Sequence, residues 1–334
     1  MIEAIIRDPL WFPHRYDAAR RQILFVHLTR EQHRAAAFLD DRHLDEGLAR
    51  RTMPIDAIDV AVIPEGRMHF IFHSAFCCST LMASALDIPG RVFALKEPVI
   101  LNDVALAARR GLDTQDLDRI LALLARPTLP GEVVIAKPGN EANSAIPHLL
   151  ARQRTSRALL MSSPIEAFLA SVANKGMWGR LWARRVHAGL RSFQPRDPGY
   201  SDADLLQQTD LQVAALVWLA HRGQFAELAQ MASGRYRTLL AEQLLADRSG
   251  SLAAVSAWFG LGLAEPEIAA IADGPVFKHN AERADENFDE AARAASRAQA
   301  EAAYGEEIAM VTQWAETVAG HVGLPRDFGP ALLT

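Results

Sequence analysis

Cysteine is nearly absent: the 334 residues hold two, and they are neighbours, Cys77 and Cys78. Adjacent cysteines exclude a disulfide framework and a Cys-x-x-Cys metal or redox site. Lysine is almost as scarce. Of 35 basic residues only Lys96, Lys137, Lys175 and Lys278 are lysine, and an ammonium is not interchangeable with a guanidinium at an anion or in proton chemistry. Long apolar runs are missing: the longest, near residues 211–220, is about half of what a membrane span needs. Residues 1–8 lack a basic start followed by an apolar stretch, so no signal peptide is expected and the cytoplasm is the default location. A net charge of −5 argues against a general nucleic-acid binder, which needs a basic surface. No His/Cys/Asp spacing marks a metal site, no Gly-x-Ser-x-Gly element marks a hydrolase serine, and the ATP-type Gly-x-x-x-x-Gly-Lys-Ser/Thr loop is absent.

What remains is an ordinary globular composition, half apolar and 22% charged. Short buried-type strands are predicted over 67–72, 91–95, 131–136, 157–161 and 235–240, separated by helical segments. Alternation of this kind implies an α/β protein with a parallel sheet covered on both faces. Sites in such sheets lie beyond the carboxyl ends of the strands. Residues 74–80, Lys96-Glu97, Lys137 to Asn140 and Ser162-Ser163 all follow strand ends and are expected to share one crevice. Residues 30–51 have the charge spacing of a surface helix. Residues 177–232 are almost wholly helical, interrupted at 194–199, and 280–319 predict one or two amphipathic helices.

The strand-to-helix turn His73-Ser74-Ala75-Phe76-Cys77-Cys78-Ser79-Thr80 is the strongest local lead. Ser and Thr at a helix start, with free N–H groups and the positive dipole end, suit phosphate or sulfate; a generic turn explains the same residues. Glu97 beside such a loop has the chemistry of a general base, and Lys137 that of a neutraliser of developing charge; each also fits a solvated surface. The Cys77-Cys78 pair becomes reactive if the helix end lowers a thiol pKa, or serves as small apolar filling.

In their order, four blocks resemble the P-loop sulfotransferase superfamily, in particular its bacterial members. They are Phe70 to Leu81, Leu95-Lys96-Glu97-Pro98, Ala158 through Ser171, and Arg235 to Leu240 with Asp247 and Trp258-Phe259-Gly260. The resemblance covers roughly residues 67 to 260. It implies a P-loop NTPase-like three-layer αβα fold with a central parallel sheet and large helical insertions. It implies transfer of a sulfuryl group from 3′-phosphoadenosine 5′-phosphosulfate to a hydroxyl or amine, with no metal. By the same resemblance, His73, Ser74, Phe76, Cys77, Cys78, Ser79 and Thr80 form the 5′-phosphosulfate loop. Glu97 is the base, Lys137 lies near the bridging oxygen, and Ser163 and Ser171 belong to the 3′-phosphate element. The acceptor is a small molecule or a peptide, and a homo-oligomer stays open.

The expected organisation is a helical N-terminal extension over 1–66, a sulfotransferase-like core over 67–262 with a helical lid over 177–232, and a C-terminal loop and helices over 263–334. Two departures bear on activity. Phe76 stands where the family carries a basic residue, and Ser163 where it carries an arginine. Two lost charged hydrogen bonds cost on the order of 3–6 kcal/mol, or roughly two to four decades of affinity. Arg152, Arg154, Arg157, Arg180, Arg184 and Arg185 are the sequence neighbours able to replace them. A non-catalytic binding protein on the same fold, and a transferase using another phosphorylated nucleotide, are the alternatives.

Overall fold

The structure is a computed structural model that describes residues 2–231, 234–282, 290–325, 327 and 329–333. Five strands form the central parallel sheet: β4 (Arg67–His73), β5 (Val92–Lys96), β6 (Val133–Lys137), β7 (Ala158–Ser162) and β8 (Tyr236–Leu240), in the order β5-β6-β4-β7-β8. Each is a nearly continuous apolar run because both faces are covered. Alternation then sorts the side chains. Phe70, Phe72, Leu95, Val134, Ala136 and Leu160 enter one core; Ile71, Val133, Ile135, Leu159 and Met161 enter the other. Helices Ser79–Ala85, Ala241–Ala246, Arg248–Phe259 and Glu265–Ala272 cover the second face. Helices Ile100–Ala108, Thr114–Leu124 and Ile146–Arg152 cover the first. This is the P-loop NTPase-like three-layer arrangement expected of the sequence. Helices Ile165–Asn174, Gly176–Leu190, Asp210–Met231 and Glu290–His321 close a third core around Phe168, Leu169 and Trp182. Of the helix expected over 280–319, residues 283–289 lie outside the described residues.

The expected helical extension at the N-terminus is instead a three-stranded antiparallel sheet: β1 (Trp11–Asp17), β2 (Gln22–His27) and β3 (Arg50–Pro54). Only Ile2–Arg7 and Arg30–Ala35 are α-helical there. The helix expected over 30–51 stops at Ala35. Beyond it the Asp40 carboxylate accepts the N–H groups of Arg42 and His43, both at 3.0 Å, and Asp45 accepts Gly47 N–H at 2.7 Å. These Asx turns compete with the helix ladder.

The small sheet is riveted to the core. The Arg15 guanidinium grips Asp103 with two 2.8 Å bonds, and Tyr16 Oη–H donates to the buried Asp116 at 2.7 Å. Arg126, 1% exposed, donates to the carbonyls of Ile5, Ile6, Asp8, Trp11 and Leu123. Both edges of the main sheet are answered. Leu39 N–H donates to Lys96 O (2.7 Å) beside β5, and Thr238 N–H donates to Pro330 O (3.0 Å) beside β8. Among the described residues no helix is long and apolar enough to cross a membrane.

Candidate active site

β4 ends at His73, and the chain turns sharply into the Ser79–Ala85 helix. The turn uses backbone that L-residues resist: φ is +67° at Ala75, +48° at Phe76 and +59° at Cys78. Glu97, just past β5, has φ +49°. Among the described residues the other non-glycine position of this kind is Arg21, in the β1–β2 turn. Each costs roughly 1–3 kcal/mol, so the strain is concentrated at one end of the sheet. Packing holds it there. The Phe76 ring lies 4.7 Å from Trp182 and 5.7 Å from Phe168, and Cys77 Sγ–H donates to Met161 O at 3.4 Å.

Within the loop Ser74 N–H donates to Met161 O (3.1 Å) and Ala75 N–H to His73 Nδ1 (3.1 Å). No side chain caps the following helix, and the N–H groups of Phe76, Cys78 and Thr80 meet no acceptor among the described residues. Backbone donors left open at a helix start are available to water or to an anion. Two buried hydroxyls are open as well. Ser74 Oγ and Ser163 Oγ, on residues 1% and 2% exposed, are unpartnered at the ends of the adjacent strands β4 and β7.

Glu97 and Lys137 follow from the register of β5 and β6, which sets Lys96 opposite Lys137. Lys137 Nζ donates to Glu97 Oε1. The lysine side chain is wholly buried, whereas 27% of the Glu97 side chain is exposed, so the carboxylate is the open member of the pair. Burial raises the Glu97 pKa above its ordinary value and the Lys137 charge opposes that rise. Phe38 covers the ammonium with its ring centroid 5.4 Å away. Gly139 is fitted to this spot: a Cβ there lies 3.3 Å from Asn102 Oδ1 and 3.5 Å from Glu97 Oε2.

His73 is a holder of the loop. Its Nδ1 accepts from Ala75, so its proton sits on Nε2, which donates to Pro138 O at 3.0 Å and lies 3.6 Å from Glu97 Oε1. Burial, then the charges of Lys137 and His221, push its pKa well below the usual value, and the ring is neutral. Under it lies a polar cluster that sequence reasoning missed. Asn143 Nδ2 donates to His73 O (2.9 Å), Asn140 Nδ2 donates to His221 Nε2 (3.1 Å), and His221 Nδ1–H donates to Gln224 Oε1 (3.2 Å). The available signal was two asparagines three apart beyond a strand end, and a histidine closing the longest apolar run.

The structure thus gathers His73, Ser74, Phe76, Cys77, Cys78, Ser79, Thr80, Glu97 and Lys137 at one end of the sheet, with Ser163 just past the end of β7. The Ser171 hydroxyl donates to Ala167 O of its own helix at 2.8 Å. For the cysteine pair the surroundings favour small apolar filling over a reactive thiolate. Burial pushes the Cys77 thiol up to about 11 and Cys78 to about 12. The arginines named as replacements are mostly engaged elsewhere. Arg152 pairs with Asp118, Arg184 and Arg180 with Asp210 at 2.6 and 3.7 Å, and Arg154 and Arg157 precede β7, at the far end of the sheet. Among the described residues no group of three or more His, Cys, Asp or Glu side chains is placed to hold a metal.

No family model matches the sequence, and no curated protein matches it. Solved structures give a likeness of overall trace. A sulfotransferase domain from the curacin biosynthetic pathway has a TM-score of 0.44 at 14% identity, covering 78% of this chain and 99% of its own. Sulfotransferase STF9 from Mycobacterium avium has 0.41 at 13%, covering 76% and 79%. Mouse sulfotransferase SULT7A1, solved with PAP, has 0.39 at 12%, covering 79% and 92%. All three scores lie below 0.5, and the site's chemistry rests on its own residues.

Proposed function

We propose that the chain transfers a sulfuryl group from 3′-phosphoadenosine 5′-phosphosulfate to a hydroxyl or amine acceptor. The observation that carries this reading is the juxtaposition of an open carboxylate on a closed lysine, Glu97 on Lys137, with a strained loop whose N–H groups and Ser74 hydroxyl lack partners. Such a loop takes the anionic end of the donor. Glu97 takes the proton of the acceptor as the acceptor atom bonds to sulfur. The bond from sulfur to the bridging oxygen breaks, and its electron pair leaves on the 5′-phosphate, where Lys137 offsets the growing charge. As in phosphoryl transfer, the protein positions groups and neutralises charge and makes no covalent bond of its own. Neutral His73 keeps the loop and the Pro138 carbonyl in place.

Calorimetry with 3′-phosphoadenosine 5′-phosphate tests the donor site without knowledge of the acceptor. Micromolar binding, weakened by Lys137→Ala and by Ser74→Ala, is the expected result. An absence of binding at millimolar nucleotide overturns the reading. A second reading has its own observation: Phe76 and Ser163 supply no cation, and Ser171 commits its hydroxyl to Ala167 O. That pattern fits a binding protein, or a transferase for a less charged phosphorylated donor. A panel of nucleotides separates these by which ligand stabilises the fold.

A further inference from the structure

The amino end of the sheet carries a concave surface of its own. β4 starts at Arg67, and the register pairs Phe70 with Ala158 and Ala158 with Tyr236. Arg157 and Arg235, each one residue earlier, are therefore neighbours across β7 and β8. A cavity of about 220 Å³ opens there, lined by Arg67, Met68, His69, Thr155, Arg157 and Phe259. β4 is seven residues long, so at about 3.3 Å per residue this cavity lies roughly 20 Å from the Ser74–Thr80 turn.

Its walls have two kinds of chemistry. One is apolar and is formed by the edges of two buried rings, His69 (7% exposed) and Phe259 (2% exposed). The His69 ring stacks on Phe259 with centroids 5.2 Å apart and planes 9° from parallel, and Arg157 N–H fixes the ring by donating to Nδ1 at 3.0 Å. Burial, reinforced by the charges of Arg67 and Arg157, lowers the His69 pKa to about 4, so the ring is uncharged at neutral pH. The other kind is cationic. Arg157 stacks on Trp258 at 4.9 Å and donates to its carbonyl, and Arg237 stacks on the same ring at 4.4 Å. Arg235 donates to the carbonyls of Leu150, Gln153 and Arg154.

Among the described residues none of Arg67, Arg157, Arg235 and Arg237 has a carboxylate within 4.0 Å, whereas nearby Arg152 is paired with Asp118. In a chain of net charge −5, a group of arginines answered by carbonyls and rings is charge left uncompensated. Guanidinium next to an aromatic wall is suited to an anion attached to a ring.

We propose that this cavity binds a small anion carried on a flat apolar body, such as an aryl phosphate or aryl carboxylate, with the ring against His69 and Phe259 and the anion at Arg67 and Arg157. The site is separate from the reacting groups and stands whether or not the chain transfers sulfuryl groups. Arg67 makes the clean test, since its side chain is exposed and holds nothing else in place.

The probe is phenyl phosphate, titrated by calorimetry into the full chain, into Arg67→Ala and into Ser74→Ala. Binding is expected to weaken roughly tenfold or more in Arg67→Ala and to stay unchanged in Ser74→Ala. Inorganic phosphate and benzyl alcohol are each expected to bind at least tenfold more weakly than phenyl phosphate, because each meets one wall only. The proposal is overturned if phenyl phosphate fails to bind at millimolar concentration or binds Arg67→Ala as tightly as the parent. It is equally overturned if Ser74→Ala abolishes binding, which moves the ligand to the other end of the sheet, or if inorganic phosphate binds as well, which leaves only a diffuse basic surface.

Discussion

Glu97 and Lys137 are joined twice: Glu97 N–H donates to Lys137 O at 2.6 Å, and Lys137 Nζ donates back to Glu97 Oε1. The first bond extends the β5–β6 ladder by one residue while Glu97 already has left-handed backbone. The carboxylate is therefore aimed by the sheet itself, with little freedom for the side chain to lose when substrate arrives.

Glu97→Gln removes the base and keeps the shape. Transfer is expected to fall at least about 100-fold, while binding of 3′-phosphoadenosine 5′-phosphate changes less than about threefold. The direction of the pH effect follows from the raised pKa. The base works ionised, so activity is lost as pH falls, and the acid limb of kcat against pH lies above the ordinary carboxylate value of 4.5. An acid limb at or below that value counts against Glu97.

Ser74→Ala and Ser163→Ala separate binding from stability. Each removes a buried hydroxyl that has no partner in the free protein, and a buried unsatisfied polar group costs about 1–3 kcal/mol. Denaturation of the free protein is expected to show unchanged or higher stability for both variants, with weaker nucleotide binding. A loss of more than about 1 kcal/mol in either variant shows that the hydroxyl has a structural partner.

His33 sets an acid limit on the fold. Its ring is fully buried, edge-on to Phe12 (5.1 Å) and Phe93 (4.9 Å), with neither nitrogen partnered. Burial, then nearby cations, lowers its pKa to about 3. Between pH 6.5 and that value the unfolded chain holds the extra proton, so stability is present above 6.5 and drains as pH falls. By pH 5 the loss is about 2 kcal/mol from this one group. Urea titrations of His33→Leu are expected to show a shallower fall between pH 7.5 and 5 than the parent; equal slopes refute the assignment.

The five core strands were legible within two residues because parallel strands buried on both faces leave runs such as Phe70-Ile71-Phe72 and Val133-Val134-Ile135-Ala136. The approach of Glu97 to Lys137 was legible by the same route, since both follow strand ends. The N-terminal sheet was not. Its strands carry Arg15, Asp17, Arg50 and Arg51 among apolar residues, and charge spacing alone does not separate a half-buried strand from a surface helix. The bond of the Ser171 hydroxyl was hidden for a different reason: a helical serine satisfies itself on the carbonyl four residues back, which no spacing rule reveals. His221 sits in an apolar helix and only tertiary contact joins it to Asn140.

Arg126→Met strands five carbonyls at once. Even partial rehydration leaves a loss of at least about 3 kcal/mol in chemical denaturation. The N-terminal strands are expected to become sensitive to limited proteolysis before the central sheet does. Simultaneous loss of both units places the arginine in the common core instead.

Cys77 and Cys78 are expected to resist iodoacetamide at pH 8 in the native protein and to react after unfolding, since their thiolates are disfavoured by burial. Rapid native labelling of either residue shows a local opening of the loop.

The edges of the central sheet bear on how the chain reaches this state. Leu39 answers the Lys96 carbonyl at the end of β5, and Pro330 with Leu332 brackets Thr238 on the β8 side, so each edge meets a strand from another molecule with part of its row already filled. The two closing segments lie nearly 300 residues apart along the chain. On a ribosome the β8 edge must wait until residues 330–332 emerge, long after β8 itself. During that interval the nascent sheet has one sticky flank, so crowding among partly synthesised copies, more than instability of the finished protein, is the point at which this fold is exposed to aggregation.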